Sequence, residues 1–274
     1  RTPNPDVLCN KEIKFAAFLD YALSLGADAI ATGHYARIEH DDRGHHLCRC
    51  ADEDKDQTYF LHLLDQSQLA RAVFPLHDLT KPQVRAIARQ LGLANAAKKD
   101  STGICFIGER RFRDFLAQYL PREPGLIETP DGVQLGEHQG LAYYTLGQRQ
   151  GLGIGGVAGG RELPWYVAAK DNARNALILV QDSQHPLLMS PGLDTLPPHW
   201  IAGQPPGATP FHCQCRLRHR QSLQDCEVLN ADQTGCRVRF PAPQRAVTPG
   251  QSIVFYHDDE CLGGAVIEQG WPAS

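Results

Sequence analysis

Asn10-Lys11-Glu12-Ile13-Lys14-Phe15-Ala16-Ala17-Phe18-Leu19-Asp20-Tyr21-Ala22-Leu23-Ser24-Leu25-Gly26, running on through Ala27-Asp28-Ala29-Ile30-Ala31-Thr32-Gly33-His34, reads as a helix handed to a strand. Phe15, Phe18, Leu19, Ala22 and Leu25 recur at helical spacing over residues 10–25, and Gly26 supplies the stop. Ala29–Thr32 is a short apolar strand that ends on Gly33-His34. Tyr35–Glu39 and His46–Cys50 pair as a hairpin across Asp41-Asp42-Arg43-Gly44. Thr80 then caps a second helix, with Pro82 in its first turn and Gly92 past its end. A third helix is expected over residues 109–119. Helix and strand alternating in this way predict an α/β layer with a parallel sheet.

Beyond Pro121 the texture changes. Gly125–Leu135 reads as strand, turn at Pro130-Asp131-Gly132, strand; Trp165–Lys170 and Ala176–Gln181 flank a polar turn at Asp171–Asn175. These form a small β-rich middle domain. Pro186, Pro191, Pro197, Pro198, Pro205, Pro206 and Pro210 mark a linker. From Phe211 onward, strand-like runs at short spacing without helical periodicity predict a small barrel or sandwich.

The chain has 274 residues, 42% hydrophobic and 21% charged, an ordinary balance for a globular protein. No apolar run approaches the roughly 20 residues of a membrane span, and no charged-then-apolar signal segment opens the chain. The expectation is a cytoplasmic protein without a membrane partner. A net charge of −4 supplies no global field for nucleic acid, so RNA contacts must come from local patches. The nine cysteines are odd in number and lack the spacing of a secreted framework, which fits free, metal-bound or reactive thiols in a reducing compartment.

Two thiols stand apart. Cys9 lies in Thr2-Pro3-Asn4-Pro5-Asp6-Val7-Leu8-Cys9-Asn10, a proline-stiffened loop entering a helix. Cys105 lies in Lys98-Lys99-Asp100-Ser101-Thr102-Gly103-Ile104-Cys105-Phe106, where lysines and a following helix favour a thiolate. Each is a candidate nucleophile or a buried, inert thiol. Asp6 is either an acid–base group for Cys9 or an Asx-turn or N-cap carboxylate. Cys48-Arg49-Cys50 and Cys213-Gln214-Cys215 place two thiols on one face of a strand, which needs no metal, and no metal site is assigned. Gly33-His34 ends a strand where α/β sheets hold ligands. Lys55-Asp56-Gln57 on residue type alone is a solvated helix start. Gly147–Gly156 is glycine-dense but lacks the Gly-Lys-Ser/Thr of a Walker loop, so it reads as a close-packed loop. Arg216, Arg218 and Arg220 would share one strand face, as an RNA-phosphate ladder or a solvated edge.

Taken in order, Thr2-Pro3-Asn4-Pro5-Asp6-x-x-Cys9-Asn10, Lys14-Phe15, Ala31-Thr32-Gly33-His34-Tyr35, Asp54-Lys55-Asp56-Gln57 and Lys99-Asp100-Ser101-Thr102-Gly103-Ile104-Cys105-Phe106-Ile107-Gly108-Glu109-Arg110 resemble the bacterial tRNA-specific 2-thiouridylases. Gly136-Glu137-His138-Gln139-Gly140, Leu146-Gly147-Gln148-Arg149, Pro164-Trp165-Tyr166-Val167 and Thr248-Pro249-Gly250-Gln251 extend the resemblance over nearly the whole chain. It implies a truncated adenine-nucleotide-hydrolase-like (PP-loop) α/β domain over 1–118, a β-rich central domain over 119–184 and a C-terminal β-barrel over 193–270. It implies that ATP, with magnesium, is a substrate that adenylates the wobble uridine of a tRNA, and that no cofactor is tightly held. By position, Cys105 would carry a persulfide from a sulfur-relay protein or cysteine desulfurase, and Cys9 would be the nucleophile that releases the sulfur, ending in a Cys9–Cys105 disulfide. Asp6 would be the acid–base group, with Asn4 and Pro5 shaping the base pocket. Gly33 would approach ATP, and His34, Lys55, Asp56, Gln57, Arg218, His219 and Gln251 would contact tRNA.

The family's Ser-Gly-Gly-x-Asp-Ser pyrophosphate loop has no counterpart in a chain that opens on Arg1. The expectation is that this polypeptide alone does not adenylate tRNA and that the sheet edge near Ala29–Thr32 is exposed. Two rival readings are a thiol–disulfide enzyme acting on proteins, which would cycle Cys9 and Cys105 without tRNA, and a non-catalytic RNA-binding module, whose tRNA affinity would survive loss of both thiols.

Overall fold

The computed structural model describes residues 3–98, 122–154 and 163–273, arranged around three sheets. The opening helix is longer than its apolar period predicts. It runs as α1 (Pro5–Leu8), a π-helical segment (Cys9–Ala17) and α2 (Phe18–Ser24) without a break. The extra turn exists because Asn4 caps it, its side chain accepting from the Asp6 N–H at 3.1 Å, and because Pro5 presets the helical φ at the first position. Gly26 closes the far end with φ +89°.

The strand expected at Ala29–Thr32 is β1 (Ile30–Ala31). The hairpin follows as β2 (Arg37–Asp41) and β3 (Gly44–Cys48), in the register Asp41↔Gly44. Next come α3 (Thr58–Leu61), α4 (Gln66–Leu69), β4 (Ala72–Val73) and α5 (Lys81–Gln90). β1 and β4 pair in parallel, Ile30 opposite Ala72. Thr80 and Gln83 form the capping box of α5, and Gly92 beyond it has φ +65°. The helix expected at 109–119 lies outside the described residues.

The middle sheet has the order β6-β5-β8-β7, from β5 (Gly125–Glu128), β6 (Gln134–His138), β7 (Trp165–Asp171) and β8 (Ala176–Gln181). Its core is Ile127, Tyr144, Leu152, Val167, Leu177 and Leu179.

The last unit is a closed barrel of six strands, β14-β11-β12-β13-β9-β15, with β14 and β15 completing the ring. Its strands are β9 (Met189–Thr195), β10 (His199–Trp200, beside β15), β11 (Phe211–Arg216), β12 (Gln224–Asp232), β13 (Gly235–Arg245), β14 (Ser252–His257) and β15 (Glu260–Gly270). The proline-rich stretch is therefore not all linker: β9 is built from it. Pro191 is tolerated there because the β9–β13 register shifts between Arg239 and Gln244, and a bulge needs no N–H from it.

The barrel and the N-terminal unit are fused. β3 joins β15 through Glu260↔Cys48 and Cys261↔Leu47. Phe15, Leu19, Ile30, Tyr59 and Phe74 share one buried core with Ile201, Val254, Tyr256 and Cys261. Among the described residues, no helix is long and apolar enough to cross a membrane.

Candidate active site

The N-terminus of the opening helix carries Asn4, Pro5, Asp6 and Cys9 within two turns. Because Asn4 provides the cap, the N-cap reading of Asp6 is superseded: Asp6 sits inside the first turn with its carboxylate uncommitted to the helix end. Burial raises the Asp6 carboxyl above its ordinary range, and the charge of Lys14 partly offsets this. Cys9 lies one turn further on, at the first position of the π-helical segment, and is partly exposed. π-Helical turns are rare and recur at functional sites. Burial pushes other thiols up, Cys50 to about 11 and Cys48 and Cys236 to about 12.

Next to Cys9, Asn10 is buried and bonded on both sides. Its Nδ2 donates to the Phe60 carbonyl at 3.3 Å, and its Oδ1 lies 3.1 Å from His34 Nε2. Since Asn10 Oδ1 can only accept, Nε2 carries the His34 proton, and His34 Nδ1 accepts from Thr32 Oγ1 at 2.8 Å. This network assigns the neutral tautomer. Burial, aided by Lys14, lowers His34 to about 4. The His34 ring is 7% exposed and packs between Phe15 and Phe74. His34 thus faces the helix, with both ring nitrogens engaged by Thr32 and Asn10. Gly33 is exposed at the end of β1. A Cβ there would meet only Leu76 Cδ1 at 3.9 Å, so the backbone borders open space.

The residues expected at the tRNA come from three segments gathered by Tyr59. Its buried hydroxyl lies 2.9 Å from the Ser252 carbonyl and 3.2 Å from that of Leu217. Gln251, Arg218 and His219 adjoin those carbonyls, and Lys55 and Gln57 precede Tyr59 on its own segment. His219 packs on Phe60, ring centroids 4.4 Å apart, so this cluster continues into the Asn10–Phe60 bond beside Cys9. Gln57 Oε1 accepts from the Tyr35 N–H at 3.0 Å.

Two of the sequence expectations are corrected here. Asp56 is 2% exposed and is not a solvated helix start: it pairs with Arg216 Nη1 at 2.5 Å and accepts from Thr58 Oγ1. Its partner removes Arg216 from the proposed basic face. β11 ends at Arg216, Arg220 turns to φ +68°, and only Arg218 and Arg220 are exposed. Arg218 Nη2 donates to the carbonyls of Ala246 (3.1 Å) and Leu146 (3.3 Å), joining the barrel to the middle-domain loop. Gly147 is required at that joint, because a Cβ would stand 2.7 Å from Ala246 Cβ and its φ is +76°.

Family models match all three parts of the chain: a "tRNA methyl transferase HUP domain" over residues 1–109, a "tRNA methyl transferase PRC-barrel domain" over 113–181 and an "Aminomethyltransferase beta-barrel domain" over 190–267. The tRNA-specific 2-thiouridylase MnmA of Marinobacter nauticus is 59% identical over 274 residues, covering 99% of this chain and 69% of that protein. The proteins of the same name from Alcanivorax borkumensis and Methylococcus capsulatus are each 59% identical, over 98% of this chain and 73% and 72% of their own lengths. This chain belongs to the tRNA-specific 2-thiouridylase family.

Cys105 and the Lys99–Arg110 run lie outside the described residues, as does the Cys9–Cys105 pairing. Cys213 and Cys215 are strand neighbours on β11, as alternation predicts, with Cys213 Sγ 3.5 Å from Cys226 Sγ across β11 and β12, whereas β3 ends at Cys48 and leaves Cys50 beyond the strand. Among the described residues, no group of three or more His, Cys, Asp or Glu side chains could hold a metal ion. His138 is a core histidine, 1% exposed and bonded to the Gly140 N–H and the Asn175 carbonyl. Sequence reasoning missed Asn10, Thr32 and Tyr59. The signal for Asn10 was a lone amide one turn after Asp6 in a helix that otherwise buries apolar residues.

Proposed function

We propose that the chain serves 2-thiolation of the wobble uridine of tRNA, with its two thiols carrying the sulfur-transfer step. The observation that carries this reading is the Asn4–Asp6–Cys9–Asn10 helix start, in a chain of this family. In the proposed reaction, uridine O2 attacks the α-phosphorus of ATP and pyrophosphate leaves. The Cys9 thiolate attacks Sγ of the Cys105 persulfide. The terminal sulfur is released, adds to C2 and expels O2 with AMP. A Cys9–Cys105 disulfide remains, and an external dithiol reduces it. Asp6 takes the uridine N3 proton during adenylation, a role that suits a carboxyl raised by burial. Asn4 and Pro5 form the wall beside the base.

ATP, carried with magnesium, is a substrate in this scheme, and Gly33 is its backbone approach at the end of β1. A sulfur-relay protein or cysteine desulfurase supplies the persulfide. His34 supports the site by fixing Asn10 rather than by touching RNA. Lys55, Gln57, Arg218, His219 and Gln251 form the tRNA face around Tyr59, with Asp56 beneath it as a buried anchor. The working division into 1–118, 119–184 and 193–270 assigns catalysis to the first part and RNA contacts to the first and last.

The test loads the chain with a persulfide donor and maps the modified thiol by mass spectrometry. Persulfide is expected on Cys105, lost in Cys105→Ser and retained but not released in Cys9→Ser. Persulfide that forms elsewhere, or that survives Cys105→Ser, refutes the assignment. Protein disulfide exchange without tRNA would favour the thiol–disulfide rival.

A further inference from the structure

We infer that the groove between α5 and the 52–55 loop is a docking surface for an RNA backbone. The groove is lined by Asp52, Asp54, Lys55, Lys81, Arg85 and Arg89 and encloses about 650 Å³. This inference rests on the tRNA reading above and extends it to residues that reading does not use.

Three observations carry it. The cations are periodic: Lys81, Arg85 and Arg89 stand four residues apart along one face of a ten-residue helix. At about 1.5 Å rise per residue they form a row with steps of about 6 Å, comparable to the separation of neighbouring phosphates on one RNA strand. Arginine forks suit phosphate oxygens, and a regular row suits a regular polyanion better than it suits scattered carboxylates on a protein.

The groove also joins the candidate site at two points. Lys55, on its near wall, belongs to the segment that leads through Gln57 to Tyr59 and the Arg218–His219 turn. Lys81 Nζ lies 5.5 Å from the Tyr35 ring centroid, and Tyr35 follows His34 directly. A strand leaving the base pocket along this wall meets the cations in sequence.

Of the two lining carboxylates, Asp52 already accepts from the Lys81 backbone N–H at 2.7 Å. Four cations and two acids line the groove, in a chain whose overall charge is −4. Such local concentration is the electrostatic footprint of nucleic-acid binding.

The test measures binding of an unmodified tRNA transcript bearing a wobble uridine, across a salt series. The proteins are the full chain, Arg85→Glu with Arg89→Glu, Arg85→Lys with Arg89→Lys, and Arg218→Ala. The glutamate pair is expected to weaken binding at least tenfold at low salt and to lower the slope of log Kd against log salt by about two. The lysine pair, which keeps both charges, is expected to retain the full slope. Circular dichroism melts report whether each variant folds. A folded glutamate pair with unchanged Kd and slope overturns the inference, as does an equal, salt-independent loss in both pairs. Loss of binding to an acidic persulfide carrier with tRNA binding intact also overturns it. If the unsubstituted chain binds no tRNA, or Arg218→Ala binds as well as it does, the parent reading fails instead.

Discussion

At the scale of single residues, the site depends on an amide that the sequence motif does not advertise. Asn10 holds the His34 proton and the Phe60 carbonyl at once. Asn10→Ala leaves a buried N–H and a buried carbonyl without partners, and should cost about 1–3 kcal/mol in urea unfolding. The same change loosens the π-helical turn that begins at Cys9, so alkylation of Cys9 by iodoacetamide should change rate while global folding persists. Asn10→Asp gives a comparison: it keeps an acceptor for His34, loses the bond to Phe60 and sets a carboxyl group beside the buried imidazole. An unchanged alkylation rate in both variants would detach Asn10 from the thiol. Cys9 and Asp6 stand out in the sequence because a proline-stiffened loop and a polar helix start mark them locally, whereas Asn4 is singled out only by the family resemblance. Asn10 and Thr32 are not legible, because their partner His34 is brought to them only by packing between Phe15 and Phe74. His34 itself is found by its place at a strand end, but its burial is a tertiary fact.

At the scale of elements, charged pairs pin the N-terminal unit to the barrel. The first is Asp56–Arg216, both nearly inaccessible. Asp56→Ala strands a buried guanidinium and should cost about 3–5 kcal/mol, whereas Asp56→Leu with Arg216→Met should recover much of that loss. Thermal melts of the single and double variants decide the matter. Alternation along β11 is legible and correctly places Cys213 and Cys215 on one face. The basic ladder is misread because β11 stops at Arg216 and the chain turns, and a turn breaks the two-residue period. The second pin is His46, whose Nδ1 meets Glu260 at 2.6 Å and whose Nε2 meets Asp41 at 2.8 Å. Hydrogen bonds donated by its ring to Glu260 and Asp41 raise His46 above its ordinary 6.5. Its stabilisation is therefore complete below about 6.5 and is lost as pH rises through the elevated folded value. Stability of the chain should fall over that rise, and His46→Gln should remove the slope; an NMR titration of His46 reports the pKa directly.

At the scale of the whole molecule, acid acts in the opposite direction. His34, His62 and His219 are all lowered to about 4, chiefly by burial. The unfolded chain takes up these protons near 6.5, so stability should decline as pH drops from about 6.5 towards 4. Urea midpoints measured across that window should decline progressively, less steeply in His62→Phe than in the unsubstituted chain. The layered plan is legible from periodicity: helix to strand, a β-rich middle, a barrel. The fusion of its parts is not, because Ile201, Val254 and Tyr256 enter the first core from far along the chain. Proline density conceals β9 for a similar reason, since only the bulge opposite Arg239–Gln244 makes Pro191 acceptable in a barrel strand.

The junction of β3 with β15 also governs how the protein is made. His46 and Glu260 are 214 residues apart. At about 5–20 residues per second, the early hairpin emerges from the ribosome roughly 10–40 s before its partner strand exists. Throughout that interval the free edge of β3 and the apolar side chains behind it depend on holding chaperones or on their own hairpin, and the nascent chain is open to mispairing until β15 arrives.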